Sequence, residues 1–195
     1  MVILIVEQLD DTEECYVGIG EYRNVALMPR ERLIALSAES CADTLAVQLM
    51  DSTYVAGVVH LLSSAQNALS AVRGGYSRSR SLGLEILVYA SAQKQISRAI
   101  EIMGLHDSSE YIAAVIVARR PERVRECLQV LSELIGPVRD PPFPPEPSRT
   151  ARICALFGVD DTEIMSIAQS DDSQEIQSVL ARCVANRVSL VAIPD

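Results

Sequence analysis

The first fifty residues alternate between short apolar runs and one longer amphipathic stretch. Apolar runs at residues 2–6 and 16–19 flank an acidic turn at residues 10–14, and this pattern predicts an opening β-hairpin. Residues 29–38 begin with a proline and keep helical spacing, which predicts a helix with proline in its first turn. Residues 44–50 then indicate a further strand.

A longer amphipathic pattern covers residues 54–72 and indicates a helix of about five turns, ended by Gly74 and Gly75. Its second face is made of small or weakly polar residues, namely Ala56, His60, Ser63, Ser64, Asn67 and Ala71. A helix with two such faces is expected to pack against neighbours on both sides.

The next stretch predicts a strand, a turn and a helix in succession. Residues 84–89 form a mostly apolar run that favours a strand, and Ser91 is placed to cap the helix that follows. The buried stripe expected for that helix is Ile96, Ala99, Ile100 and Met103, with Gly104 just beyond its end. A strand at residues 113–117 and a helix at residues 121–135 come next.

The last third of the chain is expected to be helical. Residues 140–147 contain five prolines and predict a stiff connector, either a spacer or a proline-rich ligand for a partner domain. Helices are predicted at residues 149–157, 161–168 and 172–186, and a final strand at residues 188–193. We therefore expect one α+β domain over the whole chain, 1–195, with a small, mostly antiparallel or mixed sheet sandwiched by helices.

Composition indicates a folded protein of a reducing compartment. Apolar residues make up 49% of the 195 residues and charged residues 22%, which is enough to build a core. No run approaches the roughly 18 apolar residues of a membrane span, and the start lacks the features of a signal peptide, so we expect a cytoplasmic protein with no membrane partner. The five cysteines are scattered without a CxxC pair and are expected to be core residues.

The charge pattern distinguishes one segment from the rest of the chain. The formal net charge of −9 argues, taken alone, against nonspecific binding to nucleic acid. Residues 71–98 nevertheless contain five cations and one acid, so they carry +4 and the rest of the chain −13. Such a patch is either a solvated loop or a local binding surface for an anionic partner.

Residues that could support catalysis are sparse. His60 lies in the long predicted helix among small residues, where a packed, hydrogen-bonded histidine explains it better than a metal ligand. Phosphate-loop, nucleophile-elbow and dinucleotide-binding motifs are absent. Carboxylate pairs at residues 10–11, 160–161 and 171–172 fit capping, and a hydrolase built on such a pair is the competing interpretation. We expect a protein that binds macromolecules, with no catalytic residues, no metal and no cofactor.

Residues 91–96 (SAQKQI) have the composition of an anion-binding turn. Gln93 and Gln95 can donate and accept hydrogen bonds, and Lys94 is the one lysine of the chain. All three come before or at the start of a predicted helix, whose first backbone N–H groups favour anions. A phosphate or the sugar edge of a nucleotide fits this turn, and an ordinary polar helix start is the alternative.

Residues 54–62 (YVAGVVHLL) and 82–104 (LGLEILVYASAQKQISRAIEIMG) resemble the kinase-binding subunit of the KEOPS complex, the TPRKB family, in its archaeal form. The resemblance covers residues 44–118 well and extends to residues 150–164 and 175–184. It implies a small sheet sandwiched by helices and a non-catalytic subunit that binds the complex's kinase-like ATPase. It further implies a part in making threonylcarbamoyl-adenosine (t6A) in tRNA, in which archaeal members hold the tRNA 3′ CCA end.

The resemblance also assigns candidate site residues. It carries the family's arginine-bearing loop onto residues 73–80 and its Ser-Gly-Gln-Arg-Gln-Ile motif onto residues 91–96, where Ala92 replaces glycine and Lys94 replaces arginine. With one more cation of the basic segment, the expected tRNA-binding residues are Arg73, Arg78, Arg80, Ser91, Gln93, Lys94, Gln95 and Arg98. Loop and turn are expected to bind the tRNA tail together, because the cations and the helix start lie on one segment.

The candidates for the kinase contact lie on the long helix and on the last helix, at His60, Ile176, Val179, Leu180 and Cys183. Core packing explains these apolar stripes equally well. The competing classes of function are a small-molecule-binding regulatory module without an RNA partner and a hydrolase. A regulatory module would bind a metabolite tightly without RNA, whereas a hydrolase would lose activity through a single carboxylate or His60.

Overall fold

The structure, a computed structural model, describes residues 5–10 and 15–193 of the chain. Within them, one antiparallel sheet has the strand order β1-β2-β4-β3. The strands are β1 (Ile5–Asp10), β2 (Cys15–Arg23), β3 (Ala46–Asp51) and β4 (Tyr111–Ala118). The expected opening hairpin is confirmed by the pairing of β1 with β2, while residues 2–4 and 11–14 of that prediction lie outside the described residues.

Helices make up most of the remaining described chain. They are α1 (Arg30–Ser40), α2 (Val58–Gly74), α3 (Leu82–Ala90), α4 (Ile96–Met103), α5 (Pro121–Ile135), α6 (Pro147–Phe157), α7 (Asp161–Ile167) and α8 (Ser173–Ser189). Short 3₁₀ turns follow β3 at Ser52–Tyr54 and α8 at Leu190–Ala192. The predicted α+β class is confirmed.

Helices cover both faces of the sheet. Side chains alternate along β4, so that Ile112 and Ile116 pack with α1 and α5 while Val115 and Val117 face the opposite layer of α2, α3, α6 and α8. α5 lies close against β2, because a Cβ atom at Gly18 would clash with side chains of α5. The sheet therefore separates two apolar cores, and the larger core contains α2.

The strand predicted at residues 84–89 is wrong, because this segment is helix α3. Its first turn is capped by Ser81, whose Oγ accepts a hydrogen bond from Leu84 N at 3.2 Å. α3 is packed against α2, α4, α8 and β3, and from Glu85 to Ala90 every residue is buried, so its sequence has no polar face to show a helical period. The cap predicted at Ser91 is wrong for the same reason, since Ser91 closes the end of α3 and Gln95 precedes α4.

The final strand predicted at residues 188–193 is also wrong. α8 continues through Ser189 and a 3₁₀ turn follows. Val188 and Val191 are both buried at a spacing of three residues, which fits a helical path and not the alternation of a strand. The Arg187 guanidinium also donates to both carboxylate oxygens of Glu163 on α7, at 2.9 and 2.6 Å, and holds this end of α8 in place.

α2 and α8 lie side by side and run in the same direction. A Cβ at Gly57 would lie 3.3 Å from Ala181 Cβ, and Asn67 donates to Ser189 at 3.4 Å, so the start of α2 meets the middle of α8 and the two helices then continue together. Both sides of α2 are occupied, by α3 and by α8. The prediction that α2 packs on two faces is confirmed.

Candidate binding surfaces

The first candidate surface is the arginine loop, residues 73–80, which comprises the last two residues of α2 and most of the link to α3. Arg73 and Arg80 are exposed and Arg78 is half-buried. The buried carboxylate of Glu85 accepts hydrogen bonds from the backbone N–H groups of Arg78 at 3.1 Å and Ser79 at 2.7 Å. Glu85 therefore fixes the loop from beneath, so that the arginines are presented on a defined backbone.

The second candidate surface is the turn between α3 and α4. Lys94 and Gln95 are exposed, and no side chain caps the first turn of α4. Gln93 is half-buried and donates to Ser91 O at 3.1 Å. Ala92 adopts a left-handed backbone with φ of 51°, a conformation that glycine takes with less strain.

Two of the residues expected to bind tRNA make side-chain contacts within the chain itself. Ser91 is buried and its hydroxyl donates to Val88 O at 3.0 Å, so the side chain orders the turn from inside. Arg98 is exposed and pairs with Glu101 at 2.8 Å. An exposed pair of this kind is weak and can be exchanged for an external anion.

The arginine loop and the turn lie at opposite ends of α3. The helix has nine residues, so its ends are about 13 Å apart. At the loop end, a Cβ on Gly83 would lie 3.2 Å from Val47 O, which places this end beside the start of β3. At the other end, Ala90 O accepts from His60 near the start of α2. The expected single cluster of cations around the helix start is therefore divided into two surfaces.

A cavity of about 280 Å³ adjoins the turn. It is lined by Ala92, Gln93, Lys94, Leu156, Phe157, Arg187, Leu190 and Val191. Two cations, one amide and an aromatic ring line this space together with apolar side chains. Sequence reasoning missed Arg187 because it lies 93 positions after Lys94 and only the packing of α8 against α6 and α3 brings the two together. The Arg187 ion pair also holds the pKa of the Glu163 carboxyl below its ordinary value.

His60 is a structural residue of the core. It is fully buried, its Nδ1 accepts from Ala56 N at 3.1 Å, and its Nε2 donates to Ala90 O at 2.8 Å. Its ring meets the edge of Phe157 at 5.4 Å between centroids. Burial lowers the pKa of His60 from 6.5 to about 4, because charging the ring inside the core is costly. The neutral ring therefore joins the start of α2 to the end of α3.

The other candidates for the kinase contact differ in their exposure. Val179, Leu180 and Cys183 are buried in the core beneath α8, whereas Ile176 is half-buried. In the described residues, no group of three or more His, Cys, Asp or Glu side chains is placed to hold a metal ion.

An open groove of about 330 Å³ lies where α2 and α8 begin, next to the proline segment, residues 141–145. Its lining contains no charged residue and consists of Ala56, Gly57, Val58, Val59, Pro141, Pro142, Phe143, Pro144, Pro145, Gln174, Gln177, Ser178 and Ala181. Val59 is 47% exposed at its edge. An uncharged concave surface of this kind is typical of the centre of a protein–protein interface.

The proline segment is fastened to the sheet by a buried ionic network. The Glu21 carboxylate on β2 accepts from Phe143 N at 2.6 Å, from Ser52 Oγ at 2.8 Å and from the Arg149 guanidinium at 3.1 Å. Phe143 is itself buried, with its ring 5.4 Å from the Arg149 guanidinium carbon. The segment is thus a wall of the groove, packed on the core at its centre.

An α+β sandwich that presents a cationic loop, a cationic pocket and an uncharged groove has the architecture of a protein that binds other macromolecules. The family model described as "Kinase binding protein CGI-121" matches residues 24–192, and the chain therefore belongs to this family of kinase-binding proteins. A search of curated proteins found no match. Among the described residues, no helix is both long enough and apolar enough to cross a membrane.

Proposed function

We propose that this protein is a non-catalytic accessory subunit of the KEOPS complex. It binds the kinase-like ATPase subunit and holds the 3′ CCA end of tRNA, and so supports t6A modification in the cytoplasm. Membership of the kinase-binding family supports the first contact. The resemblance of residues 82–104 to the archaeal subunit and the cations at both ends of α3 support the second.

The uncharged groove is the proposed kinase contact. The lack of charge in its lining is the observation that supports the protein-binding half of the proposal. The chain as a whole has a formal net charge of −9, yet the groove has no charged lining residue. Depletion of charge is characteristic of interface cores. Of the helix residues first considered for this contact, Ile176 is half-buried next to the groove, whereas His60, Val179, Leu180 and Cys183 support it from the core.

Two exposed valines on the same helix provide a matched test. Val59 borders the groove and is 47% exposed, and Val72, near the far end of α2, is 42% exposed. Val59→Asp should weaken binding to the KEOPS kinase subunit of the same organism at least about tenfold, because it buries an unpaired carboxylate at the interface. Val72→Asp should leave binding unchanged. Equal affinities of the two variants in a calorimetric titration would refute this placement of the contact.

The tRNA tail is proposed to reach from the arginine loop to the cavity beside Lys94, over the distance of about 13 Å that the buried helix α3 sets between them. The loop supplies Arg73, Arg78 and Arg80 for phosphates. The turn supplies Lys94, the amides of Gln93 and Gln95, and the backbone N–H groups of the first turn of α4, which no side chain caps. The cavity supplies apolar walls and the ring of Phe157 for a base. Ser91 orders this turn through its buried hydroxyl, and Arg98 adds a cation at its edge.

Charge reversal tests the RNA contact. The triple change Arg78→Glu, Arg80→Glu and Lys94→Glu should abolish binding to tRNA with little effect on thermal stability, because the last two side chains are exposed and the first is half-buried. The exposed Arg32 on α1 provides a control, and Arg32→Glu should retain binding. Filter binding of tRNA with and without its CCA end measures the effect. Unchanged binding by the triple variant would refute the RNA-holding role.

A further inference from the structure

A third group of arginines lies on the link between β4 and α5. Arg119 and Arg120 are adjacent and exposed, and their side chains make no hydrogen bond or ion pair with any described residue. Of the described acids nearby, Asp43 and Glu126 pair with Arg123, and Glu122 lies 3.9 Å from Arg125. Asp10 lies two strands away, across β2. The two side chains thus have no ion-pair partner in the part of the chain that the structure describes, and they lie beyond the end of the inner strand β4.

Sheet topology brings these arginines to the same end of the molecule as the arginine loop. α3 approaches β3 at Val47, and two residues earlier Leu45 N donates to Val117 O at 2.8 Å, at the end of β4. Val47 and Val117 are diagonal neighbours across the two strands, because Ala46 pairs with Val117 and Val47 with Ile116. A pocket of about 250 Å³ at this end of the sheet is lined by Leu45, by both arginines and by the Asp43–Arg123 ion pair.

The arginine pair has the chemistry of a phosphate-binding surface without a base-binding one. The link itself carries no aromatic residue, and the ring nearest to it in the register, that of Tyr16 opposite Ala118, is half-buried against the core beneath α5. Single-stranded bases therefore have little ring surface to stack on there. α5 begins at Pro121 directly after the pair, and its N-terminal dipole adds to the positive potential. A duplex offers phosphates on two strands, so it can engage two separated groups of arginines at once.

We propose that Arg119 and Arg120, together with Arg80 of the arginine loop, bind the phosphate backbone of a double-stranded RNA segment next to the single-stranded tail. This inference rests on the proposed tRNA-binding function. The arginine pair lies outside the segment that sequence reasoning selected, and it extends the contact from the tail to the stem that carries it.

The test uses two RNA probes and four proteins, namely the unchanged chain and three variants. One probe is a stem with a single-stranded 3′ CCA overhang, and the other is a short single strand ending in CCA. Arg119→Glu/Arg120→Glu should weaken binding of the stem probe at least about tenfold and lower the slope of log affinity against log salt by about two, one for each lost phosphate contact. Binding of the short strand should stay unchanged. Arg32→Glu should leave both unchanged, since α1 begins beside Asp107, at the other end of the sheet.

The outcomes separate this inference from the function on which it rests. Stem binding within twofold of the unchanged protein, or an equal loss for both probes, overturns the stem contact and leaves the tail contact standing. If the unchanged protein binds neither probe, both the stem contact and the proposed tRNA-binding function are overturned. The double change Arg119→Gln/Arg120→Gln removes both charges without reversing them, so the loss in log affinity for the stem probe should be about half as large. Circular dichroism of each variant checks that a loss of binding is not caused by misfolding.

Discussion

The buried His60 makes the stability of this protein depend on pH in a way that one substitution can isolate. The ring is neutral in the folded chain, where burial lowers its pKa from 6.5 to about 4. In the unfolded chain it takes up a proton near pH 6.5. Stability is therefore fully present above about pH 6.5 and is lost as the pH falls toward 4, because only the unfolded state gains the proton over this range.

The size of the effect follows from the difference between the two pKa values. A difference of about 2.5 units corresponds to about 3 kcal/mol of unfolding free energy at pH 4. For a chain of 195 residues this corresponds to a fall in Tm of about 10 °C. Other carboxylates titrate in the same range, so the contribution of the histidine must be measured against a variant that lacks it.

His60→Gln is the matched variant for this measurement. Glutamine can accept from Ala56 N and donate to Ala90 O as the neutral ring does, but it takes up no proton. At pH 7.5 the variant should be less stable, because it loses the packing on Phe157. Urea unfolding from pH 7.5 to 4 should show the two stabilities converging as the pH falls. Parallel curves would refute the reasoning, and His106→Gln, at an exposed ring, controls for removal of a histidine.

Four further outcomes test the packing and the loop. Val179→Asp should destabilise the fold by more than about 4 kcal/mol in urea unfolding, because it places an unpaired charge in the core. Tyr22→Phe should cost about 1 kcal/mol in the same assay, since it removes the 2.9 Å hydrogen bond to Leu128 O. Ala92→Gly should stabilise by about 1 kcal/mol, because the left-handed backbone favours glycine. Glu85→Gln should keep the circular dichroism spectrum and weaken tRNA binding, because one of two loop amides loses its acceptor.

Sequence reasoning succeeded where a segment has one buried and one exposed face. α5 was predicted with the bounds that it has, because its apolar residues recur at helical spacing and Pro121 and Gly136 mark its limits. The prediction for α3 was wrong because this helix is buried on nearly all sides, so that its apolar run shows no helical period. The signal for its start was Ser81, a cap residue one position before the helix.

The candidate sites were predictable only in part, for a similar reason. Short-range patterns located Arg80 and Lys94, but not that a helix separates them. Arg187 and Arg119 reach these surfaces through the packing of α8 and the order of the strands, which no local pattern records. The apolar stripe of α8 was located correctly, yet the same spacing fits a core face and an interface.

The ionic network beneath Phe143 gives the groove a shape that exists before any partner arrives. Glu21, Ser52 and Arg149 hold the proline wall in place in the free protein. Binding of a partner therefore costs little conformational entropy at this wall. The heat capacity change of complex formation should then scale with the apolar area covered, without the added contribution of a segment that folds on binding.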